Sequence, residues 1–484
     1  MSSKVKYIEF LLNNEVIQLD LSENSSFGPT TTVMEWLRSK SNYKGVKEGC
    51  AEGDCGACTV VLAELIQGKL QYRSVTSCIL FLPYLNGKQL LTIEHLSSQA
   101  QGIYKMHPIQ EILAKHNASQ CGYCTPGIVM SLFSFYKNEE TVQDIPNSLS
   151  GNLCRCTGYE SIKEAAIEIT DLPNENDDFA QSEAETIQLL KDIAGNDCVF
   201  SVENYEQPIS IEEALSFKKN HPESLMIGGA SDIALLKTKK YQELSAILDL
   251  SQVKEMKQII KTDSYLEVGA AVIMEQLRIE AADLWPDFNT ILDSFGSRQI
   301  RNVATVGGNI GSASPIGDLL PLLMSHQAEI IIQNKHEARP EQLEEFILSY
   351  RKTSLMPDEL ISKIIIPIDK NWQFWSEKVS KRRQLDISTV SASFAIRFTH
   401  EKKVSSIILA YGGMAAMPKR ASLAEAFLLG KAWNEENIKQ AAQFVKDEFQ
   451  PLSDARASKE GRSLIASNLL LKFYWEVDGN QIVD

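Results

Sequence analysis

The 484-residue sequence lacks any apolar run long enough to cross a membrane, and it lacks a recognisable signal peptide. A membrane-spanning helix needs roughly 18 or more consecutive apolar residues. The first 24 residues alternate apolar and polar side chains, without the apolar core and small-residue cleavage site of a secretory leader. We therefore expect a cytoplasmic protein with no membrane partner, in which reduced thiols argue against structural disulfides.

Basic residues are also in deficit. The chain has 48 Lys and Arg against 63 Asp and Glu, a formal net charge of −15. Nucleic-acid binding depends on clustered Lys and Arg, so no nucleic-acid partner is expected. No internal repeat or low-complexity tract is present, and 44% of the residues are hydrophobic. A chain of this length is expected to fold as about three globular domains.

The first 90 residues carry the pattern of a small sheet with a metal-binding loop. Residues 5–20 alternate as a strand hairpin does, and 32–38 have the pattern of a short helix. A Gly- and Cys-rich loop at 45–58 leads into a strand at 59–65. This order indicates a β-grasp ferredoxin domain over 1–90.

The rest of the chain changes pattern three times. Residues 91–170 are helix-rich, and the predicted helices are 109–117, 125–136 and 159–170. Residues 171–195 begin polar and acidic, which is typical of a solvated linker. Residues 196–375 and 376–484 mix strands and helices, so the predicted class is multidomain α+β.

Eight cysteines fall into two sets. Cys50, Cys55, Cys58 and Cys78 follow C-x4-C-x2-C with a fourth cysteine 20 positions on, the spacing of plant-type [2Fe–2S] ligands. Glycines in this loop allow the backbone to wrap a cluster and direct N–H groups at its sulfurs.

Cys121, Cys124, Cys154 and Cys156 form a C-x2-C pair and a C-x-C pair in the helix-rich region. Helix starts are expected directly after both pairs, and a helix N-terminus stabilises an anionic cluster. The sequence thus predicts a second [2Fe–2S] cluster. A four-cysteine zinc site is the competing interpretation, although neither C-x4-C-x2-C nor C-x-C is usual for zinc. The ninth cysteine, Cys198, is expected to be a buried core thiol.

Two glycine-rich stretches follow the linker, Met226–Ile233 and 305–318. Such turns can bind a pyrophosphate through backbone N–H groups. Neither matches the dinucleotide-binding or P-loop pattern, so from spacing alone an ordinary tight turn remains the alternative.

Four motifs together resemble the molybdenum hydroxylases: GCAEGDCGACTVVL, SQCGYCTPG, GNLCRCTGYE and ATVGGNIGSASPIGDLLP. The resemblance covers almost the whole chain and is strongest to the iron–sulfur/FAD subunit of the bacterial xanthine dehydrogenases. It implies a β-grasp [2Fe–2S] domain, an all-helical [2Fe–2S] domain, a vanillyl-alcohol-oxidase-type FAD-binding domain and a C-terminal α+β flavoprotein domain. The sequence departs from the family where Ala230 stands for a frequent Asn and Thr305 for a common Ser.

By that resemblance the eight cysteines bind the two clusters, and the glycine turns contact the FAD pyrophosphate. The resemblance places Phe295 and Ile361 at the adenine end, has Asp318 hydrogen-bond to FAD, and puts Lys378 near the flavin ring. The implied FAD residues in full are Met226, Ile227, Gly228, Gly229, Ala230, Ser231, Asp232, Ile233, Phe295, Thr305, Val306, Gly307, Gly308, Asn309, Asp318, Ile361 and Lys378.

The resemblance also implies a divided enzyme. A large partner subunit would hold a molybdenum–pterin cofactor and oxidise hypoxanthine and xanthine to urate, in a heterotetramer of two small and two large subunits. Electrons would pass through both clusters to FAD, which would reduce NAD+. Since the cofactors carry the chemistry, no catalytic residue is assigned here. Gln120 is expected to reach toward the pterin.

Three further expectations concern the substrate, the histidines and a basic run. Relatives that oxidise aldehydes or N-heterocycles use the same module, and substrate choice resides in the partner. His95, His107 and His116 are expected to be structural, because the ligand count is already full. The basic run 381–383 is either solvated surface or an influence on the flavin.

Overall fold

A computed structural model describes residues 3–100, 103–173, 177–194 and 198–477. The chain divides into two compact units. The first comprises Met1–Phe217, Glu223–Val253 and Ser297–Ala304, and the second comprises Lys218–Pro222, Lys254–Gly296 and Thr305–Asp484. Strands and helices occur in both, as the predicted α+β class requires. Within the described ranges, no helix is long and apolar enough to cross a membrane.

The first unit opens with the predicted β-grasp arrangement. After a short strand β1 (Ser3–Val5), the elements of this arrangement are β2 (Tyr7–Leu12), β3 (Glu15–Asp20), α1 (Val33–Ser39), β4 (Thr59–Ile66), β5 (Lys69–Thr76) and β6 (Gln89–Leu91). The sheet order is β3-β2-β6-β4-β5, and β2 pairs in parallel with β6. Helix α1 starts at a capping box between Thr32 and Glu35 and packs Trp36 edge-on against Phe10 of β2.

The helix-rich region follows. Its elements are β7 (Ser98–Ala100), β8 (Ile103–Lys105), α2 (Pro108–Lys115), α3 (Thr125–Lys137), α4 (Ile145–Ser148) and α5 (Glu160–Ile169). The three predicted helices are confirmed, with boundaries shifted by at most two residues. The short antiparallel pair β7–β8 was not predicted, because three-residue strands carry too little periodicity to be recognised.

The predicted linker 171–195 differs from expectation. Most of it is a helix, α6 (Asp178–Ala194), with Phe179, Leu190 and Ile193 buried. Leu190 and Ile193 pack with Leu11 of β2. Phe179 is the one large apolar residue in the polar, acidic first half of α6, and the others, Ile187, Leu189, Leu190 and Ile193, come only in its second half, so the polar start concealed the buried face. Residues 174–176 and 195 lie outside the described residues.

A buried ion pair holds the start of α6. The Asp177 carboxylate lies 3.2 Å from Lys137 Nζ at the end of α3, and both side chains are almost fully buried. The Nδ1 atom of His107 accepts from the Ile109 N–H, so its Nε2 donates to Asp177 at 3.5 Å. Burial opposes ionisation of Asp177, but the hydrogen bonds from His107 and Ala180 and the charge of Lys137 prevail and lower its pKa.

We predict that Asp177→Asn lowers the unfolding free energy by roughly 3 kcal/mol at pH 7, because it removes the buried carboxylate that pairs with the buried Lys137 ammonium group. The folded-state pKa of Asp177 lies below its usual 3.8, so its stabilising effect is present above pH 3.8 and is lost as the pH falls through the folded value. The gap between wild type and variant should therefore narrow in acid, as measured by thermal unfolding. Asp178→Asn is the control, since that neighbour is 59% exposed in a surface pair with Lys105.

The first unit continues into a second sheet. Its elements are β9 (Cys198–Val202), β10 (Tyr205–Gln207), α7 (Ile211–Asn220), β11 (Leu225–Ile227), α8 (Ala234–Thr238) and β12 (Ile247–Asp249). The sheet order is β1-β9-β10-β12-β11, so the N-terminal strand β1 joins this sheet rather than the β-grasp sheet. Cys198 stands opposite Ser3 at this junction, half-buried and 3.0 Å from the Ser3 hydroxyl. The expectation of a buried core thiol was wrong, because Cys198 is the first residue of β9 and lies beside the edge strand β1.

A shared core joins the two sheets of the first unit. Tyr205 and Ile227 pack in one cluster with Phe81 and Leu80 of the β-grasp domain. The amide of Gln207 donates to the Pro83 carbonyl at 3.0 Å and to Asp249 at 2.8 Å. The predicted FAD-binding region 196–375 is therefore divided between the two units, with its first sheet fused to the β-grasp domain.

The second part of that region follows. Its elements are β13 (Ile259–Lys261), β14 (Tyr265–Gly269), α9 (Met274–Ala282), α10 (Pro286–Asp293), α11 (Arg298–Arg301), α12 (Val306–Ser312), α13 (Leu319–Ser325), β15 (Glu329–Gln333), β16 (Ala338–Gln342), α14 (Leu343–Phe346), β17 (Ile347–Ser349), β18 (Lys352–Thr353) and β19 (Leu360–Pro367). All except α11 lie in the second unit. The main sheet, β13-β14-β19-β15-β16, is antiparallel, with β19 in the centre.

The C-terminal part of the second unit is a four-stranded sheet with three helices. Its elements are β20 (Gln373–Val379), β21 (Val390–Phe398), β22 (Val404–Gly412), β23 (Lys419–Arg420), α15 (Ser422–Leu428), α16 (Glu435–Glu448) and α17 (Lys459–Val477). The strands pair in chain order. Phe394, Tyr411 and Phe473 form the aromatic centre of its core.

Candidate functional site: two cysteine loops and two glycine turns

The first cysteine set is assembled by the pairing of β4 with β5. Cys50, Cys55 and Cys58 lie on the loop before β4, and Cys78 lies on a single 3₁₀ turn after β5. Thr59 and Thr76 are opposite each other in the ladder, so the residues just outside this pair meet. The Ser77 hydroxyl donates to the Cys58 carbonyl at 2.6 Å and fixes that approach.

The four thiols of this set are in mutual contact. Cys50 is within hydrogen-bonding reach of Cys55 and Cys78, and these contacts lower its pKa. The same contacts raise the pKa of Cys55 and of Cys78, because each of these thiols donates a hydrogen bond to the Cys50 sulfur and is also partly or fully buried. A cationic two-iron centre would bind all of them as thiolates, so the donor set fits the predicted cluster.

The backbone around Cys50 is shaped to receive negative charge. Its sulfur accepts hydrogen bonds from the N–H groups of Asp54 and Cys55, each with a nitrogen–sulfur distance of 3.3 Å. Gly53 and Gly56 have φ of 80° and 69°, a conformation that glycine adopts without strain. N–H groups directed at cluster sulfurs are a common means of stabilising such centres.

The second cysteine set lies at the starts of two helices. Cys121 and Cys124 precede α3, and Cys154 and Cys156 precede α5. The thiols meet pairwise, Cys124 with Cys154 and Cys121 with Cys156. Two pairs of thiolates suit the two irons of a [2Fe–2S] cluster.

The Cys154 thiol has the best-defined surroundings of the second set. Burial opposes its ionisation, but hydrogen bonds from the Thr157 hydroxyl and from the N–H groups of Thr157 and Cys156 prevail and lower its pKa to about 7. Burial first, and the Cys154 contact second, raise the pKa of Cys124 to about 12. In the part of the chain that the structure describes, no three Cys, His, Asp or Glu side chains surround a point that would hold a single metal ion.

The two cysteine loops touch through their backbones. The Leu153 N–H donates to the Cys55 carbonyl at 3.0 Å, and the Asn152 side-chain amide donates to the Gly56 carbonyl at 3.2 Å. A Cβ atom on Gly56 would lie 2.0 Å from the Gly151 carbonyl oxygen, so a larger residue would force the loops apart. Cys55, a predicted cluster ligand, is therefore joined by one hydrogen bond to Leu153, the residue before Cys154.

The first glycine turn lies in the first unit, directly after β11. Gly228, Gly229 and Ala230 line a small pocket together with Tyr205 and other residues of that unit. Ala230 has φ of 55°, in the left-handed region where Asn is more favourable than Ala, which gives a physical reason for the family's Asn. A Cβ on Gly229 would lie 1.7 Å from the Val303 carbonyl oxygen.

The second glycine turn lies in the second unit and opens α12. Thr305 caps the helix by accepting the Gly308 N–H at 3.2 Å, and the Gly307 N–H donates to the Ala270 carbonyl at 2.8 Å. The side-chain oxygen of Asn309 is buried and accepts no hydrogen bond from any residue that the structure describes. A buried acceptor of this kind suits a hydrogen-bond donor of a bound ligand such as FAD.

Two of the remaining predicted residues form an ion pair, and the others are divided between the two compact units. Asp318 and Lys378 form a buried ion pair at 2.9 Å, which the sequence did not suggest. Ile361 is buried on β19, with its Cδ1 4.0 Å from the position of a Cβ on Gly311 in α12. Phe295 lies in the second unit as well, whereas Met226–Ile233 belong to the first.

The histidines have structural contacts. His107 caps α2, the His116 ring lies 2.7 Å from Glu168, and His95 packs edge-on against Phe179. Burial lowers the pKa of His95. Gln120 is exposed beside Cys121, and its contact with a pterin remains a prediction.

The basic run 381–383 forms surface contacts. Arg382 pairs with Asp386, and Arg383, 80% exposed, pairs with Asp293 at 3.1 Å. These ion pairs are those of a solvated surface segment, and an influence of the run on the flavin remains a prediction.

Three family models match the chain. They are a [2Fe-2S] binding domain over residues 92–167, an FAD binding domain in molybdopterin dehydrogenase over 200–369, and a CO dehydrogenase flavoprotein C-terminal domain over 375–477. The chain belongs to the molybdenum hydroxylase family. The predicted [2Fe–2S], FAD-binding and C-terminal flavoprotein domains of this family are thereby confirmed.

Curated relatives agree with this assignment. The xanthine dehydrogenase of Emericella nidulans is 32% identical over 88% of this chain and 35% of its own length. The xanthine dehydrogenase/oxidase of Rattus norvegicus is 30% identical, over 93% of this chain and 38% of its own length. The chain thus spans well under half the length of these relatives.

Solved structures share the fold of somewhat more than half of the chain. Carbon monoxide dehydrogenase from Hydrogenophaga pseudoflava, in a form that lacks the Mo-pyranopterin moiety, aligns with a TM-score of 0.53 at 22% identity, over 56% of this chain and 97% of its own. Quinoline 2-oxidoreductase from Pseudomonas putida 86 aligns with a TM-score of 0.52 at 22% identity, over 57% and 97%.

Sequence reasoning missed the residues that join the cysteine loops. Asn152 lies in the motif GNLCRCTGYE, which by itself indicated a role only for the two cysteines. Gln299, whose side chain donates to Asn152, lies far along the chain in the FAD-binding region. The one local signal of close packing was the glycine at Gly151, three residues before the Cys154–Cys156 pair.

We predict that Gly229→Ala lowers the unfolding free energy by roughly 3 kcal/mol and reduces bound FAD, because a Cβ there must displace the backbone at Val303. Thermal unfolding and flavin content of the purified chain would measure both effects. Gly28→Ala is the matched control in the same unit, since nothing lies within 4 Å of a Cβ at that position. Equal behaviour of the two variants would contradict the close approach.

Proposed function

We propose that this chain is the electron-transfer subunit of a xanthine dehydrogenase, in which two [2Fe–2S] clusters connect a molybdenum partner with FAD. One observation carries the proposal: the Leu153 N–H donates to the Cys55 carbonyl, so the ligand loops of two cysteine sets are in direct contact. A zinc-stapled binding protein has no need for such contact, whereas electron transfer between centres depends on close, fixed spacing.

The residues have separate tasks in this proposal. Cys50, Cys55, Cys58 and Cys78 would hold one cluster, and Cys121, Cys124, Cys154 and Cys156 the other. The two glycine turns would bind FAD, and the buried Asp318–Lys378 pair would help to position it. When bound, the clusters supply one-electron transfer and FAD supplies hydride transfer to NAD+.

The substrate and partner are proposed from the relatives. The proteins named xanthine dehydrogenase are more than twice as long as the matched segment. Their remaining length leaves room for a molybdopterin-binding part, which we propose is here a separate large subunit in a heterotetramer. Oxidation of hypoxanthine and xanthine to urate, with NAD+ as acceptor, follows from the same likeness.

The purified chain is predicted to be coloured and to contain about four iron atoms and one FAD, as two two-iron clusters require. Cys55→Ser should remove one cluster signal in electron paramagnetic resonance spectra and leave the other. Cys198→Ser is the control and should change neither signal, because that cysteine lies outside both sets. A colourless preparation that contains zinc would refute the proposal.

The reconstituted complex with its large partner is predicted to form urate from xanthine and to reduce NAD+. A product assay with xanthine, an aldehyde and an N-heterocycle in parallel distinguishes the alternatives within the family. Turnover of an aldehyde or an N-heterocycle but not of a purine would show that the subunit serves another molybdenum hydroxylase. Oxygen consumption without reduction of NAD+ would correct the acceptor.

A further inference from the structure

The short segment Ser297–Ala304 is anchored in the first unit, although the sequence on both sides of it belongs to the second. Ser297 caps α11 by accepting the Ile300 N–H. Arg298 forms an ion pair with Glu140, and Arg301, fully buried, donates to Asn147. These contacts attach a piece of the FAD-binding sequence to the helix-rich cluster domain.

Gln299, in this segment, is fully buried beside the loop that carries Cys154 and Cys156. Its side-chain N–H2 group donates to Ser131 Oγ and Asn152 Oδ1, each at 2.9 Å, and to the Ser148 carbonyl at 3.2 Å. Ser131 is on α3, which starts after Cys124. Gln299 therefore contacts the elements that carry both cysteine pairs of the second set.

Asn152 continues this contact to the first cysteine loop. Its oxygen accepts from Gln299 and from Ser131, and its N–H2 group donates to the Gly56 carbonyl and the Thr59 hydroxyl, both at 3.2 Å. Gln299 and Ser131 thus together hold the oxygen end of the Asn152 amide, while Gly56 and Thr59 receive its N–H2 end. The neighbouring Leu153 N–H makes the hydrogen bond to Cys55.

The orientation of the Gln299 amide is fixed. A reversed amide would direct its oxygen at two acceptors, the Asn152 oxygen and the Ser148 carbonyl. A Cβ on Gly151 would lie 2.0 Å from the Gln299 oxygen, and one on Gly53 would lie 2.9 Å from Ile300 Cδ1. Packing this close transmits a displacement of Gln299 to both loops.

We propose that Gln299 is a positioning residue for electron transfer between the two clusters, a role that rests on the proposed function. It holds Asn152 in the orientation that keeps Leu153 hydrogen-bonded to Cys55. The spacing of the clusters is then set by a residue of the FAD-binding region and not by the cluster domains alone. An assembled FAD-binding region is, by this account, a condition for efficient transfer between the clusters.

The test uses the full chain and two matched variants. Gln299→Leu has similar volume and removes the donors to Ser131, Asn152 and Ser148. Asn302→Leu removes an equally buried amide from the same segment, whose donor goes to the Ser74 carbonyl of β5 at 2.9 Å and not to a cysteine loop. Both variants lose buried hydrogen bonds, so both should unfold at a lower temperature than the wild type.

Magnetic coupling between the reduced clusters separates the two variants, because it falls steeply with the distance between the paramagnets. In Gln299→Leu we expect full iron content, weakened splitting between the two cluster signals, and a several-fold slower exchange of electrons between them after rapid photoreduction. Asn302→Leu should keep the wild-type splitting and rate. A milder variant, Ser131→Ala, should shift the splitting in the direction of Gln299→Leu and provides the test if that variant does not fold.

Unchanged splitting and rate in Gln299→Leu, with both clusters filled, would overturn the proposal. So would an equal change in Asn302→Leu, which would show that the segment acts only through general stability. Failure of the proposed function looks different, because the wild-type chain itself would then lack iron and show no cluster signals.

Discussion

The hydrogen bond from the Leu153 N–H to the Cys55 carbonyl is the contact on which the arrangement of the first unit depends. It can form only because Gly56 has no side chain at the point where the loops cross, since a Cβ there would lie 2.0 Å from the Gly151 carbonyl oxygen. Around it two polar side chains take the place of water: Asn152 donates to the Gly56 carbonyl, and Gln299 donates to the Ser148 carbonyl. A buried backbone group left without such a partner would cost more than an ordinary hydrogen bond contributes.

The same unit shows how separate sequence regions can share one core. The N-terminal strand β1 extends a sheet of the FAD-binding region, and Gln207 of that sheet hydrogen-bonds to the Pro83 carbonyl of the β-grasp domain. The segment around Gln299 adds a third connection, to the helix-rich domain. A cluster domain and part of a flavin domain are thereby held at fixed spacing, which suits a protein whose task is electron transfer.

Several elements followed directly from local sequence. The strands β2–β4 and the helices α2, α3 and α5 could be predicted, because alternation and helical spacing of apolar residues record which face is buried. The cysteine sets could be assigned because ligands on one loop must be close in sequence. The helix α6 and the strand β1 could not, because few apolar residues mark the start of the first and only three residues form the second.

By itself, the sequence determined the two cysteine sets, the glycine turns and the family, since these reside in short motifs whose geometry is local. Only the tertiary structure decided which loop meets which. The contact of Cys55 with Leu153, the hydrogen bond from Gln299 to Asn152, and the pairing of Asp318 with Lys378 all join residues far apart in the chain. No local pattern records such contacts, because they depend on how whole elements pack and not on the residues beside them in sequence.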